Sequence, residues 1–118
     1  MEIINLTSKD FIAKVGDFAS DPKGWKYIGD KPCIVDFYAP WCRYCKNLEP
    51  LLVEMSKLYD GQLYIYKVDV DQEADLEAAF NIRTIPTLLL CPTNKPWSLT
   101  LGVLTKQQLK ELIDTQVM

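Results

Sequence analysis

The chain has 118 residues, of which 48% are hydrophobic and 25% charged, with a formal net charge of -3. That length and apolar content suit one compact domain, residues 1–118, with its own core. No Lys/Arg run or basic stripe invites nucleic acid, no apolar run approaches the roughly 20 residues of a membrane helix, and the absence of histidine excludes Ser-His and Cys-His nucleophile pairs and His-ligated metals.

The first twenty residues include Glu2, Lys9, Asp10, Lys14 and Asp17 without an uninterrupted apolar region, so no signal peptide is read there. Residues 2–6 read as a short strand. Thr7, with Asp10 three positions on, resembles a helix N-cap, and Phe11, Ile12, Val15 and Phe18 continue as a helical stripe ending near Ala19. Two clusters of breakers, Ser20 to Gly24 and Gly29 to Pro32, bracket a loop. Trp25, Tyr27 and Ile28 between them are apolar enough to predict a partly packed segment.

Cys33 to Tyr38 is an almost continuous apolar run of strand length carrying one acid, Asp36. Ala39-Pro40 breaks it, and Trp41-Cys42-Arg43-Tyr44-Cys45-Lys46 opens a helix. Its apolar stripe is Leu48, Leu51, Leu52, Met55, Leu58 and Tyr59. Asp60-Gly61 stops that helix, and Leu63 to Val70 reads as a strand with Tyr64, Tyr66, Val68 and Val70 on one face and Lys67 on the other. Asp71 is placed as the cap of a short helix running to Phe80, with Leu76, Ala79 and Phe80 on its apolar side.

Arg83-Thr84-Ile85-Pro86-Thr87 leads into a strand, Leu88 to Cys91. A turn at Pro92 to Pro96 and an outer strand, Leu99 to Leu101 with Gly102, complete a hairpin. Thr105 and Gln108 form a capping box for a last helix that turns Leu109, Leu112 and Ile113 to the sheet. The order β-α-β-α-β-α-β-β-α predicts an α/β fold with a mixed sheet covered on both faces.

Cys42 and Cys45, three residues apart on a helix, are neighbours on one face and close enough for a disulfide. So short a ring removes little entropy from the unfolded chain, which makes the bridge a poor staple and suits it to being made and broken. The thiolate is the reactive form, and a helix N-terminus favours it through unpaired N–H groups and the dipole. Cys42 is therefore read as the exposed attacking sulfur and Cys45 as the shielded resolving one. Lowering a thiol pKa from about 8.5 to about 7 raises the thiolate fraction at neutral pH roughly 16-fold, while a Brønsted slope near 0.45 removes roughly fivefold, leaving about a threefold gain in attack rate. The larger benefits are a better leaving group and a resolving thiol already in place. Cys33 and Cys91 lie at the ends of apolar strands and read as small packed hydrophobes; half a zinc site is the competing explanation of the Cys42/Cys45 pair, but it lacks a second close pair.

Asp36 is expected to be buried with a raised pKa, near enough to Cys45 to accept its proton, with Lys67 as its ionic partner; a surface lysine on an edge strand is the ordinary alternative for Lys67.

The run Val35-Asp36-Phe37-Tyr38-Ala39-Pro40-Trp41-Cys42-x-x-Cys45-Lys46, with Pro50 on the helix, Lys67 on the next strand and Ile85-Pro86-Thr87 before another, resembles the thioredoxin family over essentially the whole chain. The resemblance implies a five-stranded mixed sheet flanked by four helices, Pro50 kinking the active-site helix, and Pro86 in cis beside the disulfide. It also implies a client-docking groove in which Ile85, Pro86 and Gly102, with Trp41, Arg43 and Tyr44, meet an added substrate strand. The implied activity is that of a protein-disulfide reductase working as a monomer without cofactor, in the cytoplasm or periplasm. Its partners would be disulfide-containing client proteins and a thioredoxin-reductase-type or membrane electron donor.

The chain departs from the family pattern twice. Arg43-Tyr44 replaces the usual Gly-Pro, and a cation beside Cys42 should favour its thiolate and make the pair more oxidising. The turn at Pro92 to Pro96 lacks the usual glycine. The first departure motivates an oxidising or isomerising extracytoplasmic role as the alternative function; a non-catalytic binding module is a third, against which the intact cysteine pair argues.

Overall fold

The computed structural model describes residues 3–118, so Glu2 of the predicted first strand lies outside the described residues. The elements are β1 (Ile3–Asn5), α1 (Ser8–Lys14), β2 (Cys33–Tyr38), α2 (Arg43–Leu58), β3 (Tyr64–Asp69), α3 (Ala74–Ala79), β4 (Thr87–Cys91), β5 (Ser98–Leu101) and α4 (Lys106–Leu112), whose end continues as a π-helical stretch at Ile113–Val117. The five strands form one sheet in the order β1-β3-β2-β4-β5. β1, β3 and β2 run parallel, while β4 and β5 are antiparallel to their neighbours, so the sheet is mixed.

The period of two along β2 decides what each layer receives. Val35 and Phe37 point to the side of α1 and α3, where they meet Phe11, Phe18, Trp25, Leu76 and Phe80. Ile34 and Asp36 point to the other side. There Ile34, Ile65, Leu88 and Leu90 pack against Leu48, Leu52 and Met55 of α2 and Leu109, Ile113 and Val117 beyond. The same period sends Lys67 of β3 to the α2 side, where parallel pairing makes it the register partner of Asp36. Sheet geometry alone thus sets one acid and one cation side by side beneath the helix that bears the cysteines.

Both predicted capping boxes are present: Thr7 with Asp10 opens α1, and Thr105 with Gln108 opens α4. Gly61, at φ 77, takes the left-handed turn after α2 that a side chain would strain.

Four sequence expectations change. α1 stops at Lys14 rather than near Ala19: the chain turns at Gly16, whose N–H reaches back to the Phe11 carbonyl and over which the Trp25 ring lies too close for a Cβ, and Phe18 is still buried, reached through that turn. Trp25 and Tyr27 pack as expected, whereas Ile28 is exposed. Leu58 and Ala79, the last residues of their helices, also face solvent, although Tyr59 and Phe80 directly after them are buried. Asp71 does not cap α3, whose N-cap is Glu73; its carboxylate is engaged elsewhere.

The layer around α1 and α3 is rich in rings. Trp25 and Trp97 stack at 5.0 Å between centroids, and Phe80 packs against Phe11, Phe18, Trp25, Phe37 and Trp97. The Trp97 indole donates to the Trp25 carbonyl at 3.2 Å, tying the long loop before β2 to the turn between β4 and β5.

Candidate active site

Cys42 is the N-cap of α2, and its sulfur accepts the Cys45 backbone N–H at 3.2 Å. Pro40 ends β2 and the chain re-enters a helix within a few residues, so both cysteines sit where the first amides of α2 lack intrahelical partners. Cys42 and Cys45 are joined as a disulfide with Cα atoms 5.2 Å apart, within the ordinary range for a bridge.

Cys42 was expected to be exposed. It is 5% exposed against 3% for Cys45, so the difference in access is small. The cover comes from the loop before β4: the Ile85 carbonyl oxygen is 3.7 Å from the Cys42 sulfur, and the Ile85–Pro86 peptide is cis, as the resemblance implied. Pro86 is anchored in turn by Gly102, whose N–H donates to the Pro86 carbonyl at 2.8 Å. A Cβ on Gly102 would lie 3.1 Å from Leu48 and 3.2 Å from Pro86, so a side chain there would press on both the helix and the loop.

Around this covered disulfide the surface is apolar and open. Trp41 is 69% exposed and Tyr44 58%, while Ile85 is half-buried beside them. The Trp41 indole N–H donates to Asp71 at 2.8 Å, which fixes the ring and accounts for the carboxylate that sequence reasoning had assigned to a helix cap. Arg43 is the first residue of α2 and points to solvent, next to Cys42 in sequence. Pro50 lies inside α2, where it cannot supply the amide hydrogen bond of that turn.

Beneath the disulfide, Asp36 is 3% exposed and its Oδ1 has no hydrogen-bond partner. Burial, then the nearby Glu49 charge, push its pKa up to about 7, against the downward pull of Lys67. Lys67 stands beside Asp36 in register but is not bonded to it: its ammonium pairs with Glu49 Oε1 at 2.9 Å and lies over the Tyr38 ring, 5.3 Å from the centroid. Burial depresses the Lys67 pKa, but the Glu49 bond and charge outweigh it and leave the net shift upward. The expected Asp36–Lys67 partnership is therefore replaced by Lys67–Glu49. A charged Asp36 would have to pay for its own desolvation before gaining from the cation, whereas Glu49 keeps its contact with water. A cleft of about 120 Å³ joins these groups and is lined by Asp36, Cys45, Lys46, Glu49 and Lys67 among others.

Glu49 was missed in the sequence, although the signal was there: it follows Cys45 by four residues and Cys42 by seven, the helical spacing for one face. Asp71 carried no such local signal. Cys33 and Cys91, read as separate strand-end residues, are buried as expected but face each other directly in the β2–β4 register. The hydrogen bond with the neighbouring Cys33 thiol, then burial, push the Cys91 pKa upward, so Cys91 is held in the protonated, unreactive form.

Comparison with known proteins is in keeping with this geometry. The family model for thioredoxin matches residues 5–115. The chain is 39% identical over 110 residues to thioredoxin of Borreliella burgdorferi, covering 93% of each chain, and 38% identical over 116 residues to thioredoxin of Haemophilus influenzae, covering 98% of each. Among solved structures, chloroplastic thioredoxin z superposes with a TM-score of 0.77 at 28% identity, over 97% of this chain and 93% of that one.

Proposed function

We propose a division of labour for the site of this chain, which belongs to the thioredoxin family and is a protein-disulfide reductase. The Cys42 thiolate attacks one sulfur of a client disulfide, and the other client sulfur leaves as a thiolate. Asp36, as the carboxylate, takes the proton of Cys45. The Cys45 thiolate then attacks the Cys42 sulfur of the mixed disulfide, closing the Cys42–Cys45 bridge and releasing the second client thiolate. Two electrons pass to the client and the pair ends oxidised.

The observation that carries this reading is the N-cap geometry, in which the Cys45 N–H points at the Cys42 sulfur and would stabilise negative charge there once the bridge opens. Lys67 acts on Asp36 through space and not through a bond. Trp41, Arg43, Tyr44, Ile85, Pro86 and Gly102 form the client-docking surface; the exposed rings beside the disulfide support this, since a client strand needs an apolar patch and free backbone to lie on.

Family membership brings disulfide-containing substrates and a reductase partner. We assign the return of electrons to a thioredoxin-reductase-type or membrane donor and read the working unit as a monomer. No helix among the described residues is long and apolar enough to cross a membrane.

Insulin reduction driven by dithiothreitol tests the reading. The parent protein should accelerate precipitation of the insulin chains, and Cys42→Ser should lose that acceleration. A Cys42→Ser variant as active as the parent would end the proposal. Cys45→Ser should instead accumulate covalent mixed disulfides with client proteins.

A further inference from the structure

Two acids, Asp36 and Glu49, share the cleft under the disulfide with Lys46 and Lys67, and Lys67 is bonded to the acid that needs it less. Asp36 is buried and its Oδ1 has no partner, yet Lys67, its neighbour in register, reaches 2.9 Å to Glu49, whose side chain is about half exposed (51%). A surface ion pair of this kind ordinarily contributes little to stability, so its position is the more informative fact.

We propose that Glu49 is a positioning residue for the resolving step: by holding the Lys67 ammonium away from Asp36, it keeps Asp36 a strong enough base to take the Cys45 proton, and it offers that proton a route to solvent. This rests on the reading of Asp36 as the proton acceptor given above.

The groups that face Asp36 can be named from each element. β3 presents Lys67; α2 presents Cys45, Lys46 and Glu49; its own strand adds Tyr38 two residues on; and β4 presents the apolar Leu88, its register partner. Lys67 and Lys46 are thus the only cations among the residues lining this cleft, and Lys67 is the one that Glu49 removes from play. Were Lys67 bonded to Asp36, the carboxylate would stay ionised far below neutrality and would accept a proton poorly when Cys45 must give one up. With Lys67 on Glu49, Asp36 keeps its affinity for the proton. The cleft, at about 120 Å³, has room for water between the buried acid and the half-exposed one. The proton's path is then Cys45 thiol to Asp36 carboxylate, Asp36 carboxyl to water, and water to bulk solvent past Glu49.

The step can be isolated by mixing reduced protein with an aryl disulfide that releases thionitrobenzoate. The first release marks attack by Cys42, and the second marks displacement by Cys45 from the mixed disulfide. The rate of the second phase, followed against pH, should rise as Asp36 ionises. In Glu49→Gln, Lys67 is free to turn to Asp36 and the repulsive Glu49 charge is gone. The rise should therefore move to lower pH by about one unit or more, with a plateau several-fold lower because a weaker base accepts the proton. Placed in a Lys67→Gln background, the same substitution should move the rise less than half as far, since the cation that Glu49 held is gone and only the loss of the Glu49 charge remains.

A Glu49→Gln profile that superimposes on the parent's would overturn the proposal and leave Glu49 as a surface ion pair. A full shift in the Lys67→Gln background would overturn the part assigned to Lys67. Asp36→Asn separates this proposal from the reading beneath it. If that variant keeps the parent's rise, Asp36 is not the acceptor, whatever Glu49 does.

Discussion

Replacing Asp36 by Asn tests the burial of this acid through stability, independently of catalysis. The ordinary Asp value is 3.8 and burial with the Glu49 charge raises it to about 7 in the folded protein. Below about pH 4 both folded and unfolded states hold the proton and the group has little effect. Between the two values the unfolded chain has released its proton while the folded chain keeps it, so stability falls as pH rises; above about 7 the penalty is constant. A shift of roughly 3 units at about 1.4 kcal/mol each gives about 4 kcal/mol of lost stability at the alkaline plateau. Asp10 and Asp114 are shifted the other way by their hydrogen bonds and lose their contribution only as pH falls through the acid range, so they leave the window above about pH 4 to Asp36. Urea unfolding of the oxidised protein at about pH 4 and about pH 8, followed by tryptophan fluorescence, should show the parent losing about 3–4 kcal/mol across that range and Asp36→Asn losing less than about 1 kcal/mol. Parallel pH dependence in the two proteins would refute the claim that Asp36 is buried with a raised pKa.

Phe80 touches five other rings, and Phe80→Ala should cost about 3–5 kcal/mol of unfolding free energy in the same assay. Thr105→Ala removes the side-chain acceptor of the α4 capping box and should cost about 1 kcal/mol, with Thr105→Ser restoring most of it. Gly102→Ala places a methyl group against Leu48 and Pro86, so it should raise KM for a protein disulfide while leaving the reaction with a small aryl disulfide within about twofold. Equal losses on both substrates would assign Gly102 to the chemistry rather than to client docking.

What was legible in the chain follows from which forces are local. The two capping boxes, the stop at Gly61 and the continuous apolar run of β2 depend on residues a few positions apart, and each has its expected form. The burial of Asp36 was legible for the same reason, since its flanking residues fix the face it shares. Pairings across the sheet were not. Cys33 meets Cys91 only because β4 runs antiparallel to β2 in that register, and nothing in either strand encodes its partner. Nor could the fate of Lys67 be read: the register brings it to Asp36, but the choice between two acids turns on desolvation, which a sequence does not display. Helical periodicity likewise placed Leu58 and Ala79 on apolar faces, and both face solvent while Tyr59 and Phe80 beside them are buried.

Disulfide exchange by this site depends most on the N-terminus of α2 favouring the ionised Cys42 sulfur. Alkylation of the reduced protein with iodoacetamide, followed across pH and mapped by mass spectrometry, measures this directly. Cys42 should be modified first, with a midpoint below the value of an ordinary cysteine and a rate at pH 7 about threefold above that of an unfolded thiol, while buried Cys33 and Cys91 stay unmodified. A midpoint at about 8.5, the value of an ordinary cysteine, would contradict it.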